Sequence, residues 1–259
     1  MISKKKYDLD YPYTYGEKSE FDLFAWFKIF SIAILAFFTL SFFFGDVVDL
    51  LRDSFPTLIK KYTIEITIFS GILYLLMNLA GLEWAAKKNW KLLFKKLTFK
   101  DLKIVIGFTI LTFLVSILID GNLFQWIFGV NAKNPIEVSD VTLTATITTL
   151  IESSFQVVGE EFVAIIPFLL VVSLGKRLQL NQTLTMAIAI VISSIVFGMA
   201  HTWTYGGLLQ GIVAVFFSRI VITMAYVKTK NLWVSYLVHY LFDSISFLLT
   251  FWVATHFHM

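Results

Sequence analysis

The chain has no cysteine among its 259 residues. That absence removes disulfide frameworks, thiolate nucleophiles and cysteine-based zinc sites in one step, so any bound metal would need histidine and carboxylate ligands. Charge is scarce too: 15% of residues are charged against 58% hydrophobic and 17% aromatic, far from the balance of a soluble domain. Lipid is the expected solvent, and a soluble two-domain protein is excluded. The net charge of +3 is spread over connections instead of gathered into a groove lined with aromatics, so nothing points to nucleic acid. No short apolar segment with a small-residue cleavage site follows Lys4, Lys5 and Lys6, so no removable signal peptide is expected. There is also no internal repeat of the kind that marks transporters with inverted halves, which argues against a proton-coupled transporter.

What is present is a series of uninterrupted apolar stretches. Crossing a hydrocarbon core of roughly 30 Å takes about 20 helical residues, and a backbone in lipid must satisfy its own hydrogen bonds. The expected spans run at about Leu23 to Gly45, Tyr62 to Leu82, Leu102 to Ile119, Leu150 to Leu174, Leu184 to Trp203, Leu208 to Val227 and Trp233 to Ala254. The fold class is therefore all-α, a polytopic transmembrane helix bundle of about seven spans. An eighth element could lie in Asn122 to Val130, or in the Thr-rich stretch Val141 to Thr149, which otherwise extends the fourth helix or rests in the interface. Residues 1–22 read as a polar, tyrosine-rich cytoplasmic tail without a core of its own, 23–140 as accessory helices, 141–255 as the working helical core and 256–259 as a C-terminal tail.

Basic residues in short loops stay on the cytoplasmic side. Lys87, Lys88, Lys91, Lys95, Lys96, Lys100 and Lys103 crowd the second connection. Placing it inside also puts the N-terminal lysines, Lys176 with Arg177, and Lys228 with Lys230 inside, leaving Arg52, Lys60, Lys61 and Lys133 outside. The N-terminus is then in and the C-terminus out. Trp26, Trp84, Trp203, Trp233 and Trp252 lie at or just beyond span ends, where amphipathic rings prefer to sit.

Ionisable side chains within spans are costly and usually mark function. The first three spans offer little beyond Lys28 and Glu65 near their ends, whereas the last four hold Glu160, Glu161, His201, Arg219, His239 and Asp243. Adjacent carboxylates on a helix point about 100° apart, so only one of Glu160 and Glu161 can aim squarely into a given cavity. The pair could instead mark a helix start in the interface, but the nine residues from Leu150 read as apolar and Ile165 to Val172 follow. His239 and Asp243, four apart, share one helical face, where the carboxylate can reach the imidazole. A lone intramembrane histidine is commonly an interhelical hydrogen-bonder; two of them with a glutamate on neighbouring spans point to water activation. A glutamate beside a histidine can take a proton from water for attack on a peptide carbonyl while a second histidine stabilises the oxyanion. Alternatively Glu160, His201 and His239 could ligate a divalent metal such as zinc. The helical H-E-x-x-H signature is absent, and the residues do not choose between a metal and none.

At these residues the chain resembles the CPBP family, the CAAX proteases and bacteriocin-processing proteins also called Abi. The family's Glu-Glu-x-x-x-Arg, Phe-x-x-x-His and His-x-x-x-Asn/Asp motifs appear here, in order, as Glu160-Glu161, Phe197 to His201, and His239 to Asp243. The run Lys228 to Trp233 is similar to the lead-in to the last motif, and the likeness covers about Leu150 to Phe247. The resemblance implies an intramembrane endopeptidase of a bacterial cell membrane acting on a peptide or membrane-protein substrate. Glu160 would be the general base, His201 its partner on the water, and His239 with Asp243 the stabilising pair. The alternative is a non-catalytic bacteriocin self-immunity or membrane binding protein of the same fold, a reading supported by the absence of the motif's arginine.

The motif arginine is replaced by Ile165, which leaves Glu161 without the partner the family pattern supplies. Arg219, otherwise an unexplained charge in the sixth span, is expected either to pair with Glu161 or to snorkel toward an interface. Depth sets a further condition. Measured from the inner span ends, His239 lies roughly 12 Å in, Glu160 and Asp243 roughly 20 Å, and His201 roughly 25 Å. Straight upright helices would keep these apart, and Gly159, Pro167, Gly206, Gly207 and Gly211 offer places for bending or close packing. His256 and His258 read as part of the C-terminal tail.

Overall fold

A computed structural model describes residues 9–42, 48–132 and 141–257. Lys4 to Lys6, Gly45, Lys133 and His258 lie outside the described residues. Among those described, seven helices are long and apolar enough to cross a membrane, at Leu23–Phe42, Pro56–Leu93, Phe99–Phe128, Leu143–Arg177, Gln182–Ala200, Leu208–Thr229 and Leu232–His256. They include no strand, and the bundle is all-α.

Polar side chains fix the helix starts. Asp22 accepts from the Ala25 amide to open α1 (Leu23–Phe38). The short α2 (Val48–Ser54) precedes α3 (Pro56–Ala86), where Pro56 occupies the first turn and needs no amide partner. A 3-10 segment, Lys87–Leu93, leads to Thr98, which forms a capping box with Asp101 at the start of α4 (Phe99–Val115). A π-helical turn, Ser116–Gly121, carries the chain into α5 (Asn122–Phe128), which stops at Gly129 with φ 71°. Asn122 to Phe128 thus continues the third span instead of forming an eighth. Thr142 caps α6 (Leu143–Arg177), so the Thr-rich stretch extends the fourth span by two turns. Asn181 caps α7 (Gln182–Ala200), α8 (Thr202–Tyr205) is a single turn closed by Gly206 at φ 81°, and α9 (Leu208–Thr229) and α10 (Leu232–Phe257) complete the chain. His256 lies inside α10, its Nδ1 2.9 Å from the Trp252 carbonyl, so that residue is helical rather than part of a tail.

The central helix is α6. Its apolar window is 72% buried, against 17% for α1, and it packs on α3, α7 and α10, while α9 packs on α7 and α4. Lipid supplies little hydrophobic drive between helices, so close approach and interhelical hydrogen bonds carry the association. Gly159 makes such an approach possible: a Cβ there would lie 2.5 Å from the Tyr74 ring of α3.

The N-terminal stretch departs from the expected free tail. Tyr11, Tyr13 and Thr14 are buried, and the two tyrosines join the bundle's apolar core with Leu9 and Phe21. Tyr13 donates to the Asn89 carbonyl at 2.9 Å, Tyr11 to the Val227 carbonyl at 3.3 Å, and Lys176 meets Glu17 at 2.8 Å. Burial pushes the Tyr13 hydroxyl pKa up, so it stays a neutral donor. Residues 9–22 therefore form a strap beneath α6 and α9. Trp26 belongs to this layer as well: it is 7% exposed and packs edge-on to Phe21, unlike the half-exposed Trp84 and Trp252 at span ends. Asn231 pins the same end, its amide exchanging hydrogen bonds with the Lys95 backbone at 3.0 and 3.1 Å.

Candidate active site

Glu160 and Glu161 leave α6 in different directions, as the 100° step requires. Glu161 is wholly buried, and the Arg219 guanidinium of α9 grips it as a fork, with Nη1 to Oε1 at 2.6 Å and Nη2 to Oε2 at 3.0 Å. Paired, hydrogen-bonded geometry of this kind is what a buried charge needs. Arg219 also donates from Nε to the Thr223 hydroxyl at 3.3 Å and stacks over the Phe197 ring at 4.6 Å. With no exposed surface it does not snorkel. Ile165, at the motif's arginine position, is buried in the apolar layer.

The same Glu161 Oε1 accepts from Nδ1 of His239 at 3.0 Å. A carboxylate acceptor at Nδ1 places the proton there and turns Nε2 toward the cavity. Nε2 lies 3.8 Å from Glu160 Oε2 and 3.5 Å from Asp243 Oδ2. Asp243 thus reaches the imidazole from one helical turn away, as the spacing predicts, but does so at Nε2. Asp243 stands beside the free nitrogen of His239, and the carboxylate that orients the ring is Glu161. The α10 helix is held in register on α6 by two tyrosines flanking His239, Tyr236 donating to the Ser154 carbonyl at 3.0 Å and Tyr240 to the Leu150 carbonyl at 3.2 Å.

His201 sits where α7 ends. Its Nδ1 donates to the Phe197 carbonyl at 2.9 Å, one turn back, which again leaves Nε2 as the free nitrogen. The Phe197 ring touches both imidazoles, 4.4 Å from His201 and 5.5 Å from His239 between centroids. The crossing of α7 and α9 just below is set by two glycines: a Cβ on Gly198 would stand 2.6 Å from the Ile212 backbone, and one on Gly211 2.6 Å from the Gly198 carbonyl. Gly198→Ala should therefore push the helices apart at a cost of about 1–3 kcal/mol and displace His201. A melting temperature and a cleavage rate that fall together are expected, while Gly107→Ala, with nothing within 4 Å of an added Cβ, should change neither.

Glu160, His201, His239, Asp243, Phe197 and Arg219 line one cavity of about 430 Å³, with Glu161 behind it. Although a residue count along separate upright helices sets these side chains at different depths, they meet at this one cavity. Of the positions expected to allow bending or close packing, Gly159 and Gly211 serve close packing.

Three polar residues escaped the sequence reading. Gln156 donates to Glu160 Oε1 at 2.7 Å from one turn earlier, and the i, i+4 spacing was its available signal. Glu152, with Gln156, shows that the nine residues before Glu160 are not uniformly apolar; its side chain lies against α3 at Gly71. Asp120, 1% exposed in the π-helical turn, accepts from the Phe217 and Ser218 amides of α9 at 3.0 and 2.8 Å, immediately before Arg219. The accessory helices thus reach the site. Asp120→Asn would leave one of those amides facing an amide nitrogen, and should lower stability by about 1–3 kcal/mol, read as a fall in melting temperature in detergent.

A metal can be tested against these groups. The free Nε2 atoms are of the right chemistry for one, but among the described residues no three His, Asp or Glu side chains converge as a ligand set. Glu160, His201 and His239 as placed do not fit an ion.

A family model, described as type II CAAX prenyl endopeptidase Rce1-like, matches residues 142–245. The match begins at the N-cap of α6, ends two residues beyond Asp243, and falls on the family whose three motifs the sequence resembles. No curated protein and no solved structure matches the chain.

Proposed function

We propose that the protein is an intramembrane endopeptidase in which Glu160 activates water for hydrolysis of a peptide bond in a peptide or membrane-protein substrate. The observation that carries this reading is the relay from Arg219 through Glu161 to His239, which aims a free imidazole nitrogen at Glu160 inside an open cavity. Glu160, 16% exposed and steadied by Gln156, is the carboxylate within reach of a cavity water. It takes a proton as the water oxygen bonds to the substrate carbonyl carbon. In its doubly protonated form His239 donates from Nε2 to the developing oxyanion, with Asp243 beside it, and His201 holds the water from the end of α7. Collapse of the tetrahedral intermediate breaks the C–N bond, and Glu160 passes its proton to the leaving amine. The non-catalytic alternative rested on the missing motif arginine, and Arg219 now supplies that guanidinium from another helix.

Purified protein in liposomes, given labelled transmembrane peptides, should release fragments carrying one solvent oxygen at the new carboxyl terminus. Release unaffected by Glu160→Ala or His201→Ala at equal folded protein would reject the assignment.

A further inference from the structure

The basic residues and the cavity occupy opposite ends of the bundle. Seven lysines from Lys87 to Lys103, then Lys176, Arg177, Lys228 and Lys230, sit where α3, α6 and α9 end and α4 and α10 begin. The strap of residues 9–22 closes that end, and a packed layer of Phe162, Ile165, Phe168, Leu169 and Tyr226 separates it from Glu160. The cavity extends the other way. Its rim among the described residues is Leu40, Ser41, Gly121, Ala132 and Thr204, which lie past the end of α1, at the end of the π-helical turn, past α5 and in α8. On that side, in the first turns of α3, stand Lys60 and Lys61, a weaker basic set.

Lysine and arginine in short connections remain cytoplasmic. We infer that the catalytic cavity opens to the extracytoplasmic face and that its substrates are exported: peptides, or membrane-protein segments, whose cleaved bond is presented from the outer side. Sidedness follows from the charge and the cavity alone, while the word substrate rests on the proposed hydrolysis.

The cysteine-free chain allows a direct test with single cysteines. Ser41→Cys and Thr204→Cys mark the rim, and Lys96→Cys marks the exposed lysine-rich end. Intact cells producing each full-length chain are treated with a membrane-impermeant maleimide, and parallel samples are treated after lysis. The two rim chains should label in intact cells, and the Lys96→Cys chain only after lysis. The opposite pattern overturns the inference, as does a rim that labels only after lysis or in neither condition. In a second arm, a bulky impermeant maleimide on Thr204→Cys in intact cells should reduce cleavage of exported peptides at least tenfold; undiminished cleavage by a fully labelled chain also overturns it. External labelling of a chain whose cleavage is insensitive to Glu160→Gln would retain the sidedness and reject the hydrolytic reading, so the two failures are distinguishable.

Discussion

Arg219→Leu should leave little folded protein. The side chain has no exposed surface, and its two terminal nitrogens hold both oxygens of an equally buried Glu161. Removing it strands a carboxylate in the bundle interior, a change that costs about 3–5 kcal/mol, a large share of the roughly 5–15 kcal/mol that keeps a typical domain folded. His239 loses its orienting partner at the same time, because the carboxylate at its Nδ1 is the one Arg219 fixes. Size-exclusion yield and melting temperature in detergent report the first effect. The double variant Glu161→Leu/Arg219→Leu separates the two: an apolar pair should restore most of the folded yield, while cleavage stays absent because nothing holds the imidazole. Arg219→Leu folding and cleaving like the wild type would show that the fork positions nothing.

Glu160→Gln should have the opposite profile, with the fold intact and cleavage lowered by about 10²–10⁴-fold, the range for loss of a positioned general base. Glu160 is partly exposed in the cavity wall and makes no contact with Arg219 comparable to that of Glu161. The glutamine keeps an acceptor oxygen for the Gln156 amide, so the melting temperature should hold while the rate constant falls. A matched loss of both would mean that Glu160 supports the bundle instead of the chemistry.

Local and compositional signals made much of this legible beforehand. Seven apolar stretches gave the seven spans, since length and hydropathy are properties of a segment by itself. The three motifs marked the helices that meet at the cavity, and the rule that a charge within a span must find a partner led from a missing arginine to Arg219. Periodicity, however, sees only neighbours on one helix. It pairs His239 with Asp243, four residues on, but cannot see that the Nδ1 partner is Glu161 on another helix. Asp120 was hidden for a related reason: at the edge of an apolar run and next to Gly121 and Asn122 it reads as a loop residue, and only the π-helical turn brings it into α9. The strap was missed because its tyrosines look like a polar tail in composition, whereas Tyr11 and Tyr13 bury their rings and reach backbone carbonyls with their hydroxyls.

The central claim is that Glu160 drives peptide-bond hydrolysis in this cavity. Its most direct test is a mass-spectrometric comparison of membrane and secreted peptides from cells producing the wild-type chain or Glu160→Gln at equal folded levels. The account predicts cleaved peptides that disappear in Glu160→Gln cells while their uncleaved precursors accumulate. An identical peptide profile in the two would contradict it.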